Sequence, residues 1–165
     1  MPSKAFQECL IDVYNGEVAG EAAFESMLRG AADPQQQYVI ATLWQFETEG
    51  KAIIRPLLLR LGLSMFEDAE GRAGSAAAVA QLNGLPWADR FTMLRDMVKA
   101  NYLPRYVELG TLVSPEEDRD AARIATFMGT HERALVQLTE NVVAGHADPA
   151  APVAALLKFP LPRPL

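Results

Sequence analysis

Cysteine, basic charge and long apolar runs are all in short supply in this chain, and each shortage excludes something. A single cysteine, Cys9, among 165 residues rules out an internal disulfide and any cysteine-based zinc pattern. It lies beside an apolar stripe, where a small buried hydrophobe is the expected role. Fifteen Lys and Arg against 21 Asp and Glu give a net charge of −6. No basic stripe exists to meet phosphates, so neither nucleic acid nor an anionic membrane is an expected partner. No apolar stretch approaches the ~20 residues of a membrane span. The opening residues, from Met1 to Phe6, lack the apolar core of a secretion signal, which points to a cytoplasmic protein. There is no glycine-rich phosphate loop and no serine or cysteine set beside a base. Hydrolase, kinase and dinucleotide chemistry are therefore unsupported. Period-two alternation is absent, which removes strands from consideration.

What the chain does contain is helical periodicity. Half of its residues are hydrophobic and 22% are charged, ordinary values for one globular domain of this length. Four long helices are expected, at about 4–30, 34–61, 86–112 and 115–143. Asp33-Pro34 supplies an N-cap and a proline at the first helical position of the second, and Gly62 is placed to stop it. Pro56 should kink that helix from within. Residues 63–85 read as an irregular crossover holding a short helix near 75–82. Pro104 should interrupt the third helix. Ser114-Pro115-Glu116-Glu117 has the form of a capping box opening the fourth, and Gly145 should close it. The segment 148–165 holds five prolines and favours extended backbone, either draped over the bundle or crossing to a partner subunit. The expected fold is all-α: an antiparallel four-helix bundle with a longer connection between helices two and three, a kinked third helix and a Pro-rich C-terminal tail.

Three stripes carry polar residues at inward positions. The first runs Phe6, Leu10, Val13, Glu17, Gly20, Phe24, Met27. The second runs Ile40, Leu43, Glu47, Gly50, Ile54, Leu57, Leu61, and the third Ile124, Met128, His131, Leu135, Leu138, Val142. Steps of three and four keep residues on one helix face. Glu17, Glu47 and His131 should thus all point into the core, where an unpaired charge is costly. A metal, a shared proton or mutual pairing must compensate them.

Asn15-Gly16-Glu17, Phe46-Glu47-Thr48-Glu49-Gly50 and Thr130-His131-Glu132-Arg133 together resemble the ferritin-like, rubrerythrin-type di-metal carboxylate bundles. That family sets one glutamate on each of two helices and a Glu-x-x-His pair on each of the other two. The resemblance spans roughly residues 4–143 and departs from the pattern at three places. Gly50 stands where the first histidine belongs, Met128 where a glutamate belongs, and Val98 where the second terminal glutamate belongs. Glu17, Glu47 and His131 remain. The resemblance implies a reduced site holding one Fe, Mn or Zn ion and acting in oxidation or peroxide handling. The alternative is a metal-free, degenerate bundle serving as a binding or assembly module. A homodimer is expected in either case.

Around this core, Glu21 lies one turn beyond Glu17, Lys51 is four residues from Glu47, and Asn101 falls on the helix-three stripe. Arg105 is placed to pair with a buried carboxylate. Glu108 lies some 15 Å from the level of the site along a helix. Trp44, Tyr102 and Met128 read as core packing, Glu49 as off the inward stripe, and His146 carries no readable role.

Overall fold

The computed structural model describes residues 1–164, and every regular element among them is helical. Leu165, the last residue of the expected tail, lies outside the described residues. The elements are α1 (Lys4–Arg29), α2 (Pro34–Arg60), α3 (Ala69–Ala80), a 3₁₀ turn (Gln81–Gly84), α4 (Trp87–Asn101), α5 (Leu103–Leu109), α6 (Arg119–Val143) and the single turn α7 (Ala151–Ala154).

Local chemistry sets these boundaries. The side chains of Ser3, Asp33, Asp68 and Asp118 each accept a backbone N–H at the start of α1, α2, α3 and α6. Gly62 and Gly145 adopt positive φ, +69° and +70°, and end α2 and α6 as expected. The chain beyond each turns back: Leu63 N–H bonds to the Leu58 carbonyl, and His146 N–H to that of Asn141. α2 continues without a break through Pro56.

Two boundaries differ from expectation. Ser114 and Glu117 do form the reciprocal capping-box bonds, at 2.9 and 3.3 Å, but they close an isolated turn. Asp118 then caps α6 four residues later than expected, its carboxylate also held by Arg60. The 63–85 crossover is mostly helical, in α3 and the 3₁₀ turn. Only Val79 of α3 is buried, so apolar periodicity gave little warning of its length. The third helix divides at Tyr102 into α4 and α5, with Pro104 in the first turn of α5.

α1 packs along α2 and α3, while α4 and α5 pack along α6. The α1–α2 pairing is antiparallel: Tyr14 meets Arg55 and Glu21 meets Thr48. Apolar side chains form two clusters. One gathers Phe24, Met27, Ile40, Leu43, Leu94 and Leu138; the other Phe6, Leu10, Ile54, Leu57, Leu109 and Met128. Glu17, Glu47 and His131 occur between the two sets along α1, α2 and α6. The segment after α6 drapes over its own bundle. Val153 and Leu157 are buried in the first cluster, and the carboxylate of Glu49 accepts the backbone N–H groups of Lys158 and Phe159.

Candidate functional site

The layer between the two clusters is polar and buried. Glu17 of α1, Glu47 of α2, and His131 and Glu132 of α6 are each at most 3% exposed. Facing positions on three helices bring them to one level. One donor atom from each of Glu17, His131 and Glu132 lies within 4.8 Å of the other two.

The hydrogen bonds leave gaps. Tyr106 of α5 donates its hydroxyl proton to Glu17 Oε1 at 2.7 Å, with the Val13 carbonyl 3.2 Å away. His131 Nε2 lies 3.2 Å from the Phe46 carbonyl, which can only accept, so Nε2 carries the proton. The same nitrogen is 3.5 Å from Glu17 Oε2. The imidazole stacks on the Phe46 ring, centroids 3.6 Å apart and planes within 5°. Glu17 Oε2 and His131 Nδ1 are fully buried and have no partner. Native interiors rarely leave such atoms unmatched.

Glycines make the room. A Cβ at Gly50 would collide with the Glu17 carboxylate and stand 3.1 Å from His131 Nε2. One at Gly20 would stand 2.5 Å from Glu47 Oε2. Each helix thus carries Glu-x-x-Gly, and each glutamate occupies the notch left by the other helix's glycine. Gly16 does the same for the Tyr106 hydroxyl, 2.5 Å from where its Cβ would be.

Burial dominates the proton affinities. Loss of water pushes the carboxyls of Glu17 and Glu47 well above the usual range, and the neighbouring Glu132 charge adds to both shifts. Burial raises Glu132 to about 8 and lowers His131 to about 3. Tyr106 is raised by burial and then by the Glu17 charge. Without a cation, the layer at neutral pH therefore holds a neutral imidazole and mostly protonated acids.

Lys51 makes no ion pair within this layer, though its charge partly offsets the raised proton affinities of Glu17 and Glu47. Its ammonium, on a side chain 5% exposed, pairs with Glu21 at 2.6 Å and Glu67 at 2.5 Å. Arg72 of α3 bridges the same two carboxylates at 2.8 Å each, Arg55 reaches Glu67 at 2.9 Å, and Thr48 donates to Glu21. This network ties α3 to Glu21 of α1 and, through Glu67, to Lys51 and Arg55 of α2.

The structure therefore joins Glu17 and His131, as expected, and adds Glu132 as their third close donor. Glu47 lies at the same level but rests against Gly20. Glu132 escaped the sequence reading because it neighbours His131. Its steps of four, back to Met128 and on to Val136, were the signal. Lys51 and Glu21, one turn beyond Glu47 and Glu17, are buried in the ion network and pair with each other. Asn101 is exposed, and Arg105 pairs at the surface with Asp12 and Glu108, so none of these three enters the layer. Trp44 is 37% exposed instead of packed in the core, because it lies outside the α2 stripe. Cys9 is buried as expected, its thiol raised to about 11 mainly by desolvation.

A cavity of about 130 Å³ reaches the layer from the side. Val79, Leu94, Val98 and Leu135 line it, Glu47 and Glu132 border it, and the exposed Ala78 and Met97 stand at its mouth. None of the described helices is long and apolar enough to cross a membrane. No family model, no curated protein and no solved structure matches the chain.

Proposed function

We propose that this chain is a ferritin-like helical bundle whose buried polar layer binds one divalent transition-metal ion through Glu17, His131 and Glu132. The observation that carries the reading is the pair of buried, partnerless atoms, Glu17 Oε2 and His131 Nδ1, within a group of two carboxylates and one imidazole. Two carboxylates balance a divalent charge, and the mixed oxygen–nitrogen set suits Fe, Mn or Zn. An ion held by three protein donors would keep open positions, and as Fe or Mn it would supply oxidation or peroxide chemistry there. Tyr106 orients Glu17 through its other oxygen, and the Phe46 ring holds the imidazole plane.

One observation favours the metal-free alternative, a bundle acting as a binding or assembly module. The Glu17 carboxylate fills the space where the Glu-x-x-His pattern would place a histidine, and Nε2 of His131 already bonds to a carbonyl. Metal content separates the two readings. Protein purified without chelator should carry close to one ion per chain. Adding Fe(II), Mn(II) or Zn(II) to the chelated protein should raise its melting temperature by mass action, and Glu132→Ala should remove that rise. Less than about 0.1 ion per chain with no rise refutes the metal site.

A further inference from the structure

We propose that the side cavity binds a small apolar primary amine, with its ammonium group on Glu47 and its hydrocarbon part against Val79, Leu94 and Val98. The inference goes beyond the metal site: it stands on the cavity and on a carboxylate outside the Glu17–His131–Glu132 group.

Charge comes first. Glu17, Glu47 and Glu132 lie at one buried level, and no lysine or arginine among the described residues forms an ion pair with any of them. The nearby ammonium of Lys51 is committed to Glu21 and Glu67. These acids keep their protons while no cation is present; an ammonium beside Glu47 supplies the counter-charge that lets its carboxyl ionise, whereas a carboxylate or phosphate would bury one more uncompensated charge. Glu47 is 2% exposed yet borders the cavity, so an entering donor reaches it without competition from bulk water.

The walls define the rest of the ligand. Leu94, Val98 and Leu135 offer only carbon, and beyond the two carboxyls the lining adds just the hydroxyls of Ser75, Tyr102 and Tyr106, too few to replace the water lost by a sugar or other many-hydroxyl molecule. A cavity of about 150 Å³ is known to accommodate benzene. The space here, about 130 Å³, suits a similar body. A longer tail would leave through the mouth at Ala78 and Met97.

The test uses the full chain after chelation, titrated by calorimetry with three probes of one shape: cyclopentylamine, cyclopentanol and cyclopentanecarboxylate. The amine should bind saturably and at least tenfold tighter than the alcohol, and the carboxylate should not bind. Glu47→Gln should weaken the amine at least tenfold and leave the alcohol nearly unchanged. Val98→Phe, which fills the cavity, should abolish both. Equal affinity for amine and alcohol on the unaltered chain, or no saturable amine binding, overturns the proposal even where a variant fails to fold. So does amine binding indifferent to Glu47→Gln. A repeat with the metal-loaded protein keeps this outcome separate from that of the metal titration.

Discussion

Phe46 holds His131 twice: its ring lies flat against the imidazole at 3.6 Å, and its backbone carbonyl takes the Nε2 proton at 3.2 Å. The ring contact depends on the side chain, whereas the carbonyl bond does not. Phe46→Ala should therefore cost about 3–5 kcal/mol of stability by opening a cavity. Phe46→Leu should cost less but still free the imidazole to rotate, and broadened His131 ring signals in NMR would report it. Unchanged ring signals in the leucine variant would show that the carbonyl suffices.

Substituting Gly50 and Gly74 by alanine should give opposite signs. At Gly50 the new methyl meets Glu17 and His131, and overpacking should destabilise by about 1–3 kcal/mol. At Gly74, inside α3, nothing lies within 4 Å of the added carbon. The alanine should stabilise there by about 0.5–1 kcal/mol through helix propensity. The Gly50 cost should shrink in a Glu17→Gly background, and urea unfolding of the four-member cycle measures that coupling.

Chelated protein should lose stability as pH rises. Glu132 titrates near 8 when folded and near the ordinary glutamate value when unfolded, because burial disfavours its charge. Between about 4.5 and 8 the folded chain then holds more protons than the unfolded one, so stability falls with rising pH across that window. Glu17 and Glu47 act in the same direction. His131, held neutral to about 3, opposes them below about 6.5, where the unfolded imidazole takes a proton. Glu132→Gln should flatten the slope, removing on the order of a few kcal/mol of the fall across that window. Parallel pH profiles for wild type and variant would contradict a buried, protonated Glu132.

Lys51→Met should destabilise by about 1.5–3 kcal/mol, since Glu21 and Glu67 lose their least exposed cation while Arg72 still bridges them. Hydrogen exchange should show the loss first in α3, which contributes a single buried apolar residue and is otherwise held to α1 by Arg72 and by the Ser26 hydroxyl on the Ala76 carbonyl. A uniform change across all helices would mean that α3 does not depend on this network.

Removing residues 148–165 should lower the melting temperature, because Val153 and Leu157 leave the apolar core. Glu49→Gln should reproduce only a small part of this, roughly 1 kcal/mol, by weakening the two backbone N–H contacts at Lys158 and Phe159. An unchanged melting temperature in the truncated chain would show that the packing of this segment contributes nothing.

The long helices were legible because their apolar steps of three and four are strong, and because Asp33, Gly62 and Gly145 mark ends plainly. Glu17 and His131 stood out as polar breaks in those stripes. Glu132 did not, since one residue of a helix cannot be ruled outward merely because its neighbour points inward: the two differ by 100°, and a broad buried face takes both. Lys51 is buried among ion pairs with Glu21 and Glu67, which leave little trace in the apolar pattern. The turn at Ser114 shows two caps competing, and the later one, Asp118, has the helix.

The exchange of glutamate for glycine between α1 and α2 also works as a ruler. A slide of the hairpin by one turn would bring the Glu17 carboxylate level with Phe46 or Ile54 in place of Gly50, and would drive Glu47 off its notch at the same stroke. The two acids thereby fix how far one helix is shifted along the other. Exchanging them for leucine would remove buried charge and, with it, the mark that distinguishes the native alignment from its neighbours.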